Sequence, residues 1–339
     1  MVRRSVASNP NAPTTVLERL SKDDDVSVRI EATRNPTALA ILLEKLSQSH
    51  DAQERIAAAS NPHTPATALE RLSQDSYDTC LRIAENPGAP TAVLERLAQH
   101  PFPDVRVQVA RNSSAPAAVL EGLARDSDGI VRSCVAGNRS TPEAVLEELA
   151  RDSYCPLYLG PKYVRSGVAA NRSTPASVLE RLARDSCEGT RYNVAANRST
   201  PEAVLERLAQ DSESFVRSGV ARNPSAPAAV LEGLARDSAD NVRTRITENP
   251  SAPAAVLEGL ARDSADNVRT RIAENPSTPA AVLEELARDS VGFTIFCIAK
   301  NPKTPTTILN ELLSSDSGVD VVVYASLSLL ANHEHPDTL

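Results

Sequence analysis

Asparagine returns along this chain with a fixed step. Asn9, Asn35, Asn61, Asn86, Asn112, Asn138, Asn171, Asn197, Asn223, Asn249, Asn275 and Asn301 lie 26 residues apart, save one step of 25 and one of 33. Such a period confines the fold tightly, because self-similar units must each be placed in a similar environment. Residues 223–248 and 249–274 differ only at Thr247 versus Ala273, as a recent duplication would leave them.

The repeat reads as two helices with a turn at each edge. In the repeat starting at Asn275, Thr278 is placed to cap a helix whose first residue is Pro279, where the missing amide hydrogen costs nothing. Val282, Leu283 and Leu286 then share one face, and the helix ends near Asp289 and Ser290. An Asp or Ser there can cap a second element, "ADNVRTRIAE" in the preceding repeat, with Val268, Ile272 and Ala273 on one face. Asn275 suits the left-handed conformation that closes a helix, and Pro276 prevents its continuation. The few Val, Leu and Ile of one repeat cannot outweigh the entropy of ordering its backbone, so repeats must stack. With aromatics at 3% and no Trp, the core is built from many small contacts, as a thin elongated one requires. The expected fold is all-α, a solenoid of about twelve two-helix repeats.

The pattern Val216, Arg217, Val220, Ala221, Asn223, Pro224, Pro227, Val230, Leu231, Leu234, Asp237 resembles the leucine-rich repeat variant family, and more broadly the HEAT and armadillo class of α-solenoids. The resemblance covers nearly the whole chain. It implies a right-handed superhelix whose second element is in part a 3₁₀-like turn, and a binding scaffold by analogy. The founding example carries a cysteine-rich iron–sulfur segment with no counterpart here, so no cofactor is carried over.

A formal charge of −8 and a pI near 5.3 disfavour indiscriminate binding to nucleic acid or anionic lipid. The amino terminus lacks an apolar core of signal-peptide length, and the most apolar run, 319–331, is too short to span a bilayer. A cytoplasmic protein without membrane contact is the expectation. Cys80, Cys134, Cys155, Cys187 and Cys297 are scattered, which argues against a local metal site and for reduced thiols. His50, His63, His100, His333 and His335 form no catalytic constellation, and no phosphate loop or serine elbow occurs. The chain therefore reads as no enzyme, with no metal site.

Several residue types recur at one repeat position. Glu18, Glu44, Glu70, Glu95, Glu121, Glu147, Glu180, Glu206, Glu232, Glu258 and Glu284 form one row, followed four residues later by Arg in half the repeats, a favourable helical spacing. A second row holds Arg132, Arg165, Arg191, Arg217, Arg243 and Arg269 and their counterparts, broken at Cys80 and Ile295. Asp126, Asp185, Asp211, Asp237 and Asp263 stand six residues before the row's Arg. In HEAT-like repeats such an Asp and Arg tie neighbouring turns together; the competing reading is a basic track for a phosphate backbone.

Recognition is expected where the rows vary. Two places after the ladder Arg stand Ser5, Glu31, Ala57, Gln108, Cys134, Gly167, Asn193, Gly219, Arg245 and Arg271, expected to face solvent. With the equally varied Ser8, Arg34, Ser60, Arg111, Ala170, Arg222, Glu248 and Lys300 they make the expected reading surface for a protein or peptide partner. In three repeats Arg139, Arg172 and Arg198 replace the proline after the repeat Asn, cations suited to an acidic peptide or phosphate. An insertion at about 154–163 carries Tyr154, Tyr158 and Tyr163 between the two helices of one repeat. Its tyrosines either fold back on neighbouring repeats or project as a contact loop.

The chain reads as one repeat domain over 1–339: a partial repeat at 1–8, repeats over 9–300, and an atypical repeat and tail over 301–339. It begins and stops inside a repeat, as a piece of a longer array would, or an array whose end meets a partner. The leading functional expectation is a noncatalytic scaffold binding another protein along its variable face. The alternative is a HEAT-like nucleic-acid binder using the Arg row.

Overall fold

Proline sets where nearly every short helix begins. Pro116 holds φ −64° and ψ 152°, extended geometry compatible with its ring, and its carbonyl accepts from Val119 N (3.0 Å) and Leu120 N (3.1 Å). The computed structural model describes residues 1–38, 40–153, 164–289, 292–314 and 319–334. Regular structure among the described residues is wholly helical, with 25 helices and no strand. Most alternate between a helix of seven residues, such as Ala117–Leu123 or Ala228–Leu234, and one of nine, such as Gly129–Gly137 or Ser214–Arg222. The second element is thus the longer α-helix rather than a partly 3₁₀ turn. Bonds of the 3₁₀ type lie instead at the exit of the short helix, where Arg125 N donates to Gly122 O (3.2 Å) and Asp126 N to Leu123 O (3.1 Å).

The apolar spacing places the core. Val282, Leu283, Leu286, Val268, Ile272 and Ala273 are all 0–1% exposed, the faces that helical periodicity predicts. Two polar roles differ from the sequence reading. Thr278 does not cap the helix after it; its Oγ1 donates to Ile272 O (2.7 Å), closing the helix before it, as Thr141 does to Val135 O (2.6 Å). The repeat asparagines are not left-handed either. Asn138 has φ −75° and ψ 129°, and no described residue other than glycine has positive φ.

Their work is done by the side chain. Asn112 Nδ2 donates to Ala84 O (2.8 Å) and Asn86 O (2.9 Å) of the preceding repeat, while its Oδ1 accepts from Ser114 N (2.8 Å). Asn138 does the same to Ala110 O and Asn112 O, and Asn249 to Ala221 O and Asn223 O. Each of these amides is buried and satisfies carbonyls left over at a helix end.

Backbone contacts divide the chain into two compact units, Met1–Thr174 and Pro175–Leu339. Inside each, successive long helices lie side by side and make the most extensive backbone contact between repeats: Gly129–Gly137 with Val164–Ala170 in the first, Glu188–Ala196 with Ser214–Arg222 in the second. Each unit is an α-solenoid stack. In the second, the atypical last repeat is a 16-residue helix, Val319–Glu334, packed on Phe293–Lys300 and Thr306–Ser314.

Candidate functional site

The Arg row sits in the first turn of the long helices, and its guanidinium groups are consumed by the turns that precede them. Arg217 Nε and Nη2 grip the carboxylate of Asp237 (2.6 and 2.8 Å), and its Nη1 donates to Asp211 O (2.8 Å) and Ser212 O (3.1 Å) in its own turn. Arg132 grips Asp152, Arg191 grips Asp211, Arg243 grips Asp263 and Arg106 grips Asp126 in the same forked manner. The carboxylate partner is therefore twenty residues ahead, in the next repeat; the Asp six residues before contributes its backbone carbonyl. Asp126, Asp211, Asp237 and Asp263 also accept from their own turns, as Asp237 Oδ1 does from Ala239 N (2.9 Å). Arg165 Nη1 donates to Asp152 O (2.6 Å), and Cys187 N donates to Asp185 Oδ1 (2.9 Å). Arg269 donates to Asp263 O (2.5 Å) and pairs with Asp266.

These pairs are largely shielded from water; the side chains of Arg243 and Asp263 are 13% and 6% exposed. The Arg217 guanidinium holds the Asp237 carboxyl below its ordinary range, as Arg55 does for Asp75. At Asp126, Asp211 and Asp263 burial pushes upward, yet the paired Arg and a turn amide outweigh it and the net direction is down. Guanidinium groups so engaged do not form an open track for phosphates.

The ladder's departures expose its logic. Arg29 meets Ser49 rather than Asp at the position twenty ahead; Glu54 takes over, pairing with Arg29 and accepting from Ser49 Oγ (2.5 Å). Where Arg gives way to Cys80, the position twenty ahead holds His100, and where it gives way to Ile295, Ser315. Cation and anion are lost together, a signal legible only once the spacing of the pair is known. Around Cys80 and His100 lies a cluster that sequence reasoning missed, built from Tyr77, His100 and Phe102.

The Glu row also pairs differently. Arg125 reaches Glu148 of the next repeat (3.0 and 2.9 Å) rather than Glu121 four residues back, and Arg262 reaches Glu285. The gap between adjacent short helices suits a long Arg side chain better than the helix's own next turn.

Variation on the long helices resolves into two kinds. The residue just before each repeat Asn, at or just past the end of the long helix, is exposed in both units: Ser8, Arg34, Ser60, Glu85, Arg111, Gly137 and Ala170 in the first, Ala196, Arg222, Glu248, Glu274 and Lys300 in the second. Three residues earlier, Ser5, Arg245 and Arg271 are exposed, but Ala57 and Gly219 are buried and Glu31, Gln108, Cys134, Gly167 and Asn193 half-buried. That correction has a packing cause. A Cβ on Gly219 would stand 3.0 Å from the Tyr192 ring and from Ala195 Cβ, and one on Gly167 3.0 Å from Ala136 Cβ. Small residues there let neighbouring long helices approach. Arg245 pairs with Glu248 (2.7 Å) and Arg271 with Glu274 (2.6 Å), giving the second unit a charged strip of mixed sign.

Arg139 and Arg172 of the first unit and Arg198 of the second are exposed in the turn after the repeat Asn. Serines of the following repeat bond two of their carbonyls, Ser173 Oγ donating to Arg139 O (3.5 Å) and Ser225 Oγ to Arg198 O (3.0 Å). Tyr154, Tyr158 and Tyr163 lie outside the described residues. Among the described residues no cluster of His, Cys, Asp or Glu could hold a metal ion, and no helix is long and apolar enough to cross a membrane.

Stacked two-helix repeats tied by Asn and Arg–Asp ladders define an α-solenoid. The chain carries repeats of the leucine-rich repeat variant family: the profile of the Leucine Rich Repeat Variant domain matches residues 54–113, and that of the Leucine rich repeat variant matches 103–128 and 215–239. No curated protein matches the chain. Among solved structures, a leucine-rich repeat variant with a novel repetitive protein structural motif is 26% identical, covering 68% of this chain and 88% of its own, at TM-score 0.46. Kap121p bound to Pho4p is 12% identical over 95% of this chain and 44% of its own, at TM-score 0.35. A computationally designed armadillo repeat protein for modular peptide recognition is 13% identical over 86% and 99%, at TM-score 0.14.

Proposed function

We propose that this chain is a noncatalytic scaffold that binds a partner protein or peptide along the exposed row at the ends of its long helices. One observation carries the reading: on a framework whose repeated charges are spent on each other, that row is exposed in every repeat and yet differs from repeat to repeat. Repetition serves stacking; exposed variety serves recognition. Arg222, Arg245 and Arg271 are the residues of the second unit that meet an acidic partner, and the half-buried Asn193 of the helix Glu188–Ala196 is a further contact. Arg139, Arg172 and Arg198, and the tyrosines of 154–163, are further contacts under this reading. The nucleic-acid alternative loses its support, because the Arg row it needs is already occupied. The free thiols among the described residues, Cys80, Cys134, Cys187 and Cys297, suit a reducing cytoplasmic setting.

The test is charge reversal at the row. Arg222→Glu, Arg245→Glu and Arg271→Glu together should reduce partner retention at least tenfold while shifting unfolding stability by no more than about 1 kcal/mol. Unchanged retention overturns the assignment of the row. Salt-dependent binding to duplex DNA that is lost in Arg217→Met would revive the alternative.

A further inference from the structure

In the first unit one step of the ladder is missing both of its charges, and aromatic rings gather around His100 there. In the first unit, Cys80 stands where the other repeats carry the guanidinium and His100 where most of them carry the carboxylate. Cys80 Sγ reaches only Ser73 O (3.4 Å). Tyr77, the first residue of the helix Tyr77–Glu85, packs edge to face on Phe102, which caps the next long helix, with centroids 5.2 Å apart and planes at 80°. The His100 ring lies 5.6 Å from Phe102 and 6.5 Å from Tyr77. Apolar rings of this kind are ordinarily buried, yet Tyr77 is 38% and Phe102 53% exposed. The surroundings are anionic: Tyr77 Oη donates to Asp104 Oδ2 (3.3 Å), and Asp78 is exposed on the same helical turn. The Arg side chains of these repeats are already engaged, Arg106 at the very turn that carries His100. Arg106 is held by Asp126 and the His100 and Pro101 carbonyls, Arg96 donates to Glu70 O, and Arg82 pairs with Glu85.

The second unit shows what such a pair of rings does when a cation is at hand. Phe296 and Tyr324 meet edge to face with centroids 5.0 Å apart and planes at 81°, nearly the geometry of Tyr77 and Phe102. There Lys300 Nζ sits 5.9 Å from the centre of the Tyr324 ring, within reach of the ring's negative face. Among the described residues Lys300 is the cation so placed.

We propose that Tyr77, Phe102 and His100, with Asp104 and Asp78 at the rim, form a receptor for the cationic side chain of an arginine in a partner's basic segment. The ladder break removes the guanidinium and carboxylate that pair in most other repeats, and the incoming arginine docks on the exposed rings from outside. Ring faces attract the guanidinium plane, the two carboxylates neutralise its charge, and the chain's net charge of −8 favours the approach of a basic peptide. The proposal rests on the scaffold reading, and it assigns the chemistry of one contact to one place in the first unit.

The experiment is an NMR titration of the full chain with acetyl-Gly-Arg-Gly-amide, with the citrulline analogue, neutral and of nearly the same shape, as the control. The arginine peptide should shift the Tyr77 and Phe102 ring signals saturably, and the citrulline peptide should not. Phe102→Ala and Tyr77→Ala should each weaken binding roughly two- to fivefold. Asp104→Asn, which keeps both rings, should weaken it roughly twofold or more. Circular dichroism confirms that each variant is folded, and Phe102→Leu, apolar without a ring, separates ring chemistry from mere bulk. Equal shifts with both peptides, shifts confined to other residues, or full binding by Phe102→Leu overturn the proposal. Charge reversal at Arg222, Arg245 and Arg271 leaves this titration unchanged, so failure here and failure of the scaffold reading are told apart.

Discussion

Replacing Asn112 with alanine removes the fastening between two repeats and leaves the apolar core untouched. Its amide serves Ala84 O at 2.8 Å and Asn86 O at 2.9 Å. Ala84 is 0% exposed, so its carbonyl finds no water when the donor is gone, and an orphaned buried acceptor costs roughly 1–3 kcal/mol. Asn86 O keeps its turn bond from Ala89 N (3.1 Å), so that loss is the smaller, about 0.5–1.5 kcal/mol. Ser114 is exposed and its amide turns to solvent. Together the substitution should cost roughly 2–4 kcal/mol. Ser113→Ala, an exposed neighbour in the same turn, should stay within about 0.5 kcal/mol. Stacked repeats need not unfold in one step, so urea unfolding is paired with hydrogen exchange, which should show lost protection centred on repeats 86–111 and 112–137. Asn112→Asp should be worse than Asn112→Ala at neutral pH, where carboxylate oxygens would face two carbonyls, and should recover as the pH falls and the introduced carboxyl gains a proton to donate. If Asn112→Ala costs no more than Ser113→Ala, the asparagine ladder does not hold the repeats together.

Three further outcomes follow from the geometry. Because Arg217 holds Asp237 below its ordinary range, that carboxyl's stabilisation is complete above the unfolded value of about 3.9 and is lost as pH falls through the lower folded value; urea midpoints between pH 7 and 3 should therefore fall less steeply below about pH 4 in Asp237→Asn than in the wild type, and equal slopes would count against the pair. Burial, with Glu274 nearby, lifts the Cys297 thiol to about 11, so thiol reagents at pH 8 should modify Cys297 only on unfolding, and rapid labelling of the folded protein would contradict the packing. Gly219→Leu, forced against the Tyr192 ring and Ala195, should cost roughly 1–3 kcal/mol by thermal or urea unfolding, whereas Arg245→Ala on the neighbouring exposed strip should be close to neutral.

Much of the fold was legible from local spacing. Helix faces such as Val282, Leu283 and Leu286 follow from a period of 3.6 residues, and burial obeys it. What sequence reasoning misplaced are interactions that cross between repeats. An asparagine before a proline at a helix end looks like a left-handed cap, because the carbonyls it serves lie 26 and 28 residues back. Thr278 looks like an N-cap for the same local reason, although its hydroxyl turns to the preceding helix. Glu121 and Arg125 have ideal spacing along one helix, yet Glu148 across the groove offers Arg125 both its carboxylate oxygens. The positions of Ala57 and Gly219 vary without apparent rule in sequence; the rule is the approach of neighbouring long helices, a distance no linear pattern states. The Tyr77, His100 and Phe102 cluster was hidden for a related reason, since its rings come from two repeats and meet only when these stack.

The division of labour between ladders and exposed row is tested most directly by site-specific photo-crosslinking in the native host. A photoreactive residue at Arg111 or Arg222, exposed ends of long helices, is compared with one at Glu121 or Glu232, exposed on short helices. A single partner band should appear from positions 111 and 222 and be absent from 121 and 232. Crosslinking that favours the short-helix positions, or is indifferent to position, would contradict a partner that reads the ends of the long helices.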